Sequence, residues 1–250
     1  MVGVLTLLYA ISVVCVCKTQ VQVIVNTVYG GDGALLTSTR DVVRRWREYF
    51  EDLLNPTDTR SEEAESESSE TGPPISGAEV AKVVKKLLGC KAPGVDEVRP
   101  EFLRALDVVG LSWLTRLCSI AWTSGTVPQD WQIGVVVPLF NMGDRRVCSN
   151  YRGITLPSLP GKVYLGLLER RIRRIVESRI QEVQCGFRPG RGTVDQLYTL
   201  GRILEGAREY AQPVYMCFVD LEKAVDRVPR GVLWGVLWEY GVPDPCSVSV

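Results

Sequence analysis

The residues best placed to do chemistry lie in Tyr215-Met-Cys-Phe-Val-Asp-Leu-Glu-Lys-Ala-Val-Asp226. The apolar run Val214–Val219 predicts a strand that ends on Asp220. A carboxylate at such a strand end projects from a rigid edge, where a hard cation such as Mg²⁺ is held by oxygen. Such an ion neutralises and aligns phosphates for in-line displacement. The competing reading is that Asp220 only caps the following turn. Asp226 falls one and a half helical turns further on and is expected to point elsewhere. A second concentration follows the predicted strand Ile133–Leu139, where Asp144-Arg145-Arg146 and Asn150-Tyr151-Arg152 share a turn-rich loop. Arginine forks and loop amides there suit polyphosphate. Arg170, Arg171, Arg173 and Arg174 occupy nearly successive positions of a predicted basic helix over 161–180, a broad face suited to a phosphate backbone. A solvated face paired with Glu169 and Glu177 is the alternative. Gln184-Cys-Gly-Phe-Arg188-Pro-Gly-Arg191-Gly192 is a glycine-rich basic loop with one aromatic, compatible with contacting a nucleic-acid strand. No Gly-Lys-Ser/Thr follows it, so it is not a P-loop.

Composition narrows what these residues do. The 250 residues carry 29 basic and 29 acidic side chains and no histidine. The missing histidine excludes Ser-His-Asp and Cys-His nucleophile systems, Cys₂His₂ fingers and HExxH metalloproteases. The net charge of zero conceals a division. Residues 55–75 hold six acids against one base, whereas 141–210 hold thirteen bases against seven acids. An acidic linker therefore masks a basic body. The eight cysteines, at 15, 17, 90, 118, 148, 185, 217 and 246, form no CxxC pair and give no zinc spacing. They read as mostly buried, reduced thiols.

The elements that must position this chemistry follow from periodicity. Residues 2–17 are apolar and uncharged, short for a bilayer span and without a preceding basic residue. Val21–Val25 reads as a strand, Gly30–Gly33 as a turn, and Leu35-Leu36 as a returning strand. Ser38 or Thr39 is placed to cap a helix over Asp41–Leu54, and 55–75 to be a flexible linker. Ser76 with Glu79 makes a capping box, with Ile75 stapled on Val80, and Gly89 is expected to end that helix. Lys91–Asp96 reads as a loop, Pro100 opens a short helix, 111–123 reads as a buried helix, and Pro138 hints at an edge or strand end. Amphipathic helices are expected over 193–209 and near 230–240. Helices with few, well-separated strands indicate an α+β or α/β domain with a small sheet.

From Ser76 to Pro243 the chain resembles the reverse transcriptase of non-LTR (LINE-type) retrotransposons. The motifs that carry the resemblance are Lys91-Ala-Pro-Gly-Val-Asp96, Gly125-Thr-Val-Pro-Gln-Asp-Trp131, Val137-Pro-Leu-Phe140, Gly143-Asp144, Asn150-Tyr-Arg-Gly-Ile-Thr155, Gly161-Lys-Val163, Glu169-Arg-Arg171, Gln184–Gly190, Asp195-Gln196 and Phe218–Val228. Residues 21–54 resemble, more weakly, the segment that precedes this domain in such elements. The resemblance implies an α+β, right-hand polymerase fold with fingers and the start of a palm. The organisation it implies is an apolar leader at 1–20, a strand and helix segment at 21–54, an acidic linker at 55–75 and a partial polymerase domain at 76–250. It implies that Asp220 is the first catalytic aspartate and a Mg²⁺ ligand, with the Leu221 carbonyl and Val225 near the nucleotide. Arg152 is expected to grip the incoming triphosphate. The 184–192 loop and the helix after it are expected to meet the template. The implied partners are an RNA template, a DNA primer and deoxynucleotide triphosphates, acting inside the cell, nuclear or cytoplasmic, with no stable membrane partner.

Three departures from the family pattern bear on activity. Asn141 and Met142 stand where the family usually has two lysines. Val225 replaces the aromatic of Ala-Phe-Asp. The chain reaches Val250 without a Tyr/Phe-x-Asp-Asp turn, and no Asp-Asp pair occurs in it. The expectation is a reverse-transcriptase fragment that is inactive by itself, since one carboxylate does not hold a two-metal site. The rivals are a non-catalytic nucleic-acid-binding or interaction protein derived from that family, and a secreted product of the apolar leader with paired cysteines.

Overall fold

The computed structural model describes residues 18–21, 25–55 and 72–242, and it is a mixed helical structure with two small sheets. The leader at 2–17, most of the acidic linker, residues 22–24 of the first expected strand, and Cys15, Cys17 and Cys246 lie outside the described residues.

The larger sheet has the order β1-β4-β5. Strand β1 (Lys18–Val21) runs parallel to β4 (Ile133–Phe140), from Lys18 opposite Ile133 to Val21 opposite Val136. Strand β5 (Tyr151–Pro157) pairs antiparallel on the other side, from Gly134 opposite Pro157 to Phe140 opposite Tyr151. β4 is therefore central. Pro138 is tolerated because it lies beyond Val136, the last residue with a β1 partner. The expected strand Leu35–Leu36 (β3) forms across the expected turn, where Gly33 sits at φ +82°, but its partner is Val28–Tyr29 (β2) and not Val21–Val25, since Val21 belongs to β1 in the larger sheet.

Helix α1 (Thr39–Leu54) lies on the sheet. Its stripe of Val42, Trp46, Phe50 and Leu53 is buried with Val28, Val136, Cys148 and Tyr151 in one core. The Trp46 and Tyr151 rings meet edge-on at 4.9 Å, and Trp46 stacks on Phe50 at 5.8 Å. The second core is helical. It draws Val80, Val83 and Val84 from α2 (Gly77–Lys85), Leu103 from α3 (Pro100–Arg104), and Leu114, Cys118, Ala121 and Trp122 from α4 (Val108–Ser124). Around the central α5 (Leu159–Val176), Val163, Tyr164, Leu167, Leu168, Ile172 and Val176 complete it, with Leu233 and Leu237 from α7 (Arg230–Glu239). The capping box at Ser76 and Glu79 forms as expected, and Ile75 and Val80 are buried together.

Several expectations are corrected. Helix α2 ends at Lys85, so Gly89 is not its terminator. It lies in an irregular stretch where the Cys90 backbone amide donates to Glu101 Oε1 at 2.6 Å. Helix α4 is buried on one face only. Leu114, Cys118 and Ala121 point inward, and Val109, Trp113 and Ile120 are exposed. The basic helix stops at Val176 and is the backbone of the helical core, not a peripheral stripe. The expected strand at Val214–Val219 does not form. Residues 212–221 are irregular and mostly exposed, with Tyr215 91% accessible. An alternating or apolar run becomes a strand only when another strand completes its hydrogen bonds, and no ladder partner stands beside this one among the described residues. Helix α6 (Thr193–Glu209) forms as expected but buries none of its residues. Among the described residues no helix is long and apolar enough to cross a membrane.

Candidate functional site

Arg152 sits on β5 opposite Leu139, at the open end of the sheet. The side chain is exposed, and its Nη2 donates to Asn141 Oδ1 at 2.9 Å. The replacement residue Asn141 thus contacts the arginine expected to meet phosphate. The 141–150 loop between β4 and β5 is tightly fastened. Asn141 N–H reaches the Asn150 carbonyl at 2.9 Å, and Asn150 Nδ2 donates to the Asp144 carbonyl at 2.9 Å. The Arg146 amide donates to Asp144 Oδ1 at 2.9 Å, and Tyr151 Oη donates to the Arg145 carbonyl at 2.8 Å. Gly143 is required here: at φ +89° a Cβ would stand 2.6 Å from Asn150 Nδ2. The hairpin adds another tie, from Tyr29 N–H to the Arg146 carbonyl at 2.8 Å. Preorganised loops of this kind hold a ligand without ordering cost at binding.

The arginines of α5 divide. Arg171 makes a fork onto Glu79, with Nη2 to Oε2 at 3.0 Å and Nε to Oε1 at 3.3 Å. It also donates to the Pro73 and Pro74 carbonyls and lies 4.6 Å over the Trp122 ring. This fork holds the Glu79 carboxyl down at about 2. Arg173 bonds Glu169 Oε1 at 2.5 Å and the Phe187 carbonyl at 3.2 Å. Arg188 is almost enclosed, bonding Glu177 Oε1 at 2.9 Å and the Gln181 and Gln184 carbonyls. Arg191 pairs with Glu182. Arg170 reaches only the Lys82 carbonyl, at 3.5 Å, and Arg174 stands exposed. Four of the six arginines singled out for nucleic acid are thus engaged by acids within the fold. The arginine forks that suit phosphate suit carboxylate equally.

Asp220 lies exposed on the irregular stretch, with Leu221 beside it, also exposed. Val225 packs partly buried against the helical core. Asp226 is half-buried, and burial raises its carboxyl above the usual range while Lys223 opposes the rise. Mg²⁺ needs several convergent oxygens, and among the described residues no three His, Cys, Asp or Glu side chains gather in one place. The donor set present does not fit the ion, and no step is routed through it.

Two features escaped the sequence reading. Lys223 Nζ donates to Tyr49 Oη and lies 4.8 Å over that ring, fastening the 222–227 turn to α1. No spacing rule links residues 174 positions apart. In Lys91–Asp96, Asp96 Oδ2 accepts the Leu159 amide at 2.8 Å and Oδ1 the Val98 amide at 3.2 Å, so this loop carries the start of α5. The Lys-Ala-Pro-Gly-Val-Asp motif itself was the available signal.

Sheet, fastened loop and exposed arginine belong to a domain of mixed α and β structure. Residues 141–249 match the family model described as reverse transcriptase (RNA-dependent DNA polymerase), and the relatives that the chain resembles include RNA-directed DNA polymerases of mobile elements. A protein described as a probable RNA-directed DNA polymerase from transposon BS of Drosophila melanogaster is 29% identical over 161 residues, 62% of this chain. The RNA-directed DNA polymerase from mobile element jockey of Drosophila funebris is 30% identical over 159 residues, also 62% of the chain. A 149 kDa protein of transposon TX1 from Xenopus laevis is 25% identical over 230 residues, 86% of the chain. The chain spans 17% of the length of each of these relatives.

Proposed function

We propose that this chain forms the fingers and the beginning of the palm of a LINE-type reverse transcriptase, and that the 250 residues by themselves bind nucleic acid without copying it. The observation that carries this reading is the ordered series of motifs from Lys91 to Val228, with Arg152 exposed on β5 beside a loop fastened at both ends. In this reading Arg152 meets the phosphates of a deoxynucleotide triphosphate, and Leu221 and Val225 lie along its path. Asp220 stands at the position that the resemblance gives to the family's first catalytic aspartate. The exposed Arg174, and Arg170 beside it, face the backbone of an RNA template and its DNA primer.

The absence of an Asp-Asp pair from the sequence supports the inactive reading, because a two-metal displacement needs carboxylates from more than one segment. Primer extension on an RNA template with Mg²⁺ tests it, using the 250-residue chain as the only protein. No incorporation is expected, and template-dependent incorporation refutes the reading.

A purely binding or interaction role is favoured by the Arg152 contact with Asn141 and by Val225 serving the core. It predicts nucleic-acid affinity unchanged by Asp220→Ala. A loss of affinity that appears only when Mg²⁺ is present would instead return Asp220 to a metal-holding role.

A further inference from the structure

Besides Arg170 and the exposed Arg174 on α5, the fold leaves a group of lysines free of acids. A cleft of about 260 Å³ opens between residues 86–94, the end of β5 and the first turn of α5. Lys86 and Lys91 line it from one wall and Lys162 from the first turn of α5, and no carboxylate lines it. All three lysines are exposed, and among the described residues none is joined to an acid. The floor is apolar, with Leu87, Leu156 and Leu159. Its shape is held by backbone: Gly94 passes so close to Pro157 that a Cβ would stand 2.3 Å from the Pro157 carbonyl oxygen. Asp96 is committed to the Leu159 and Val98 amides and lies outside the lining.

An apolar floor with a cationic rim matches a nucleotide unit within a strand, because bases stack on apolar surface while flanking phosphates take point charges. No arginine lines this cleft, so it lacks the guanidinium fork that clamps a free triphosphate in many sites. We propose that the lysine-rimmed cleft seats one nucleotide of a single-stranded nucleic acid, with its base over Leu87 and Leu156 and its phosphates on Lys86, Lys91 and Lys162. This rests on the reading that the chain binds nucleic acid, and it assigns that binding to lysines around the cleft, Lys162 in the first turn of α5 among them, rather than to the arginines further along that helix.

The test is fluorescence anisotropy of the 250-residue chain with a labelled uridine RNA of about twenty nucleotides at about 50 mM salt. The variant Lys86→Ala/Lys91→Ala/Lys162→Ala is expected to lose about tenfold in affinity, and its log–log salt slope to fall by about two. The variant Arg40→Ala/Arg47→Ala/Arg116→Ala, which removes as many exposed charges elsewhere, is expected to stay within about twofold. Equal losses in both variants mean general electrostatics and overturn the cleft. A wild-type chain that binds, with the lysine variant binding equally, overturns the cleft alone. A wild-type chain that binds nothing overturns the nucleic-acid reading and the cleft together. Displacement of the RNA by deoxynucleotide triphosphate at equal concentration reassigns the cleft to a free nucleotide and overturns the strand assignment. Crosslinking of 4-thiouridine RNA to the wild-type chain gives an answer independent of any variant. Adducts are expected within residues 86–94 or 155–162, and adducts confined to other segments refute the proposal.

Discussion

Glu79 shows how one side chain takes several duties. It accepts the Ser76 amide at 3.0 Å, completing the cap of α2, and receives the Arg171 fork that ties α2 to α5. The hydrogen bond from Arg171, with the cap bonds from Ser76, holds its carboxyl from the ordinary 4.5 down to about 2. A carboxylate depressed in the folded state stabilises the fold above its unfolded value, and that stabilisation disappears as pH falls through the folded value. Glu79→Ala is therefore expected to cost about 1–3 kcal/mol at neutral pH, the sum of a lost cap and an orphaned arginine. Urea melts should show the difference from wild type intact at pH 6 and shrinking from about pH 4.5 towards 2. A difference of the same size at both ends would mean that the ionised form contributes nothing. Cysteine chemistry divides in the same local way. Burial pushes the Cys118 thiol up to about 12, and raises Cys148 as well, whereas Cys90 and Cys217 are exposed. Since the thiolate is the reactive form, brief alkylation of the native protein followed by peptide mapping should label Cys90 and Cys217 well before Cys118 and Cys148. Early labelling of Cys118 would show that its helix does not pack as described.

At the scale of elements, periodicity predicted what local contacts stabilise and failed where distant partners decide. Helix α1, the Ser76 cap and the Gly30–Gly33 turn were legible because their signals lie within a few residues, whereas Val28–Tyr29 as the partner of Leu35–Leu36 was not. The contact between α1 and the sheet was not. It depends on Gly153, where a Cβ would stand 2.7 Å from Phe50 Cε1 and 2.9 Å from Val136 Cγ1. Gly153→Val is expected to destabilise by about 1–3 kcal/mol through overpacking. Gly31→Ala, with nothing within 4 Å and no positive φ, is expected to be near neutral. Thermal melts followed by circular dichroism decide this, and equal melting temperatures for the two variants would place α1 away from β5. The 214–219 run misled for the converse reason. Its composition is that of a strand, but composition supplies no neighbour to bond its amides.

Among the described residues, apolar surface is left open on the irregular stretch 212–221 and on faces of α4 and α6, besides other exposed apolar side chains such as Phe102 and Trp238. Tyr215, Phe218 and Val219 are 91%, 82% and 78% exposed, and Leu197, Tyr198, Val109 and Trp113 are each more than half exposed. Contiguous exposed apolar surface drives association. Light scattering is expected to show concentration-dependent oligomers of the 250-residue chain, reduced by Tyr215→Lys/Phe218→Lys. Monodisperse monomer at all concentrations would mean that this surface is covered in solution. The charge distribution also changes meaning at this scale. The basic body read from 141–210 is partly consumed by ion pairs through Glu79, Glu169, Glu177 and Glu182, while lysines distant in sequence converge on one cleft.

The family, the helices, the capping box and the loop at Lys91–Asp96 were readable from residue order, because motif spacing and helical periodicity are local properties of a chain. Which arginines are available, whether Asp220 stands on a strand, and where lysines gather around a cavity depend on contacts between segments tens of residues apart. Arg171 and Arg174 illustrate the division. They are three positions apart on one helix, yet one is locked between Glu79 and Trp122 and the other faces solvent. Their difference comes from where α2 and α4 pack against α5, since a guanidinium binds whichever anion the fold brings within reach, carboxylate or phosphate alike.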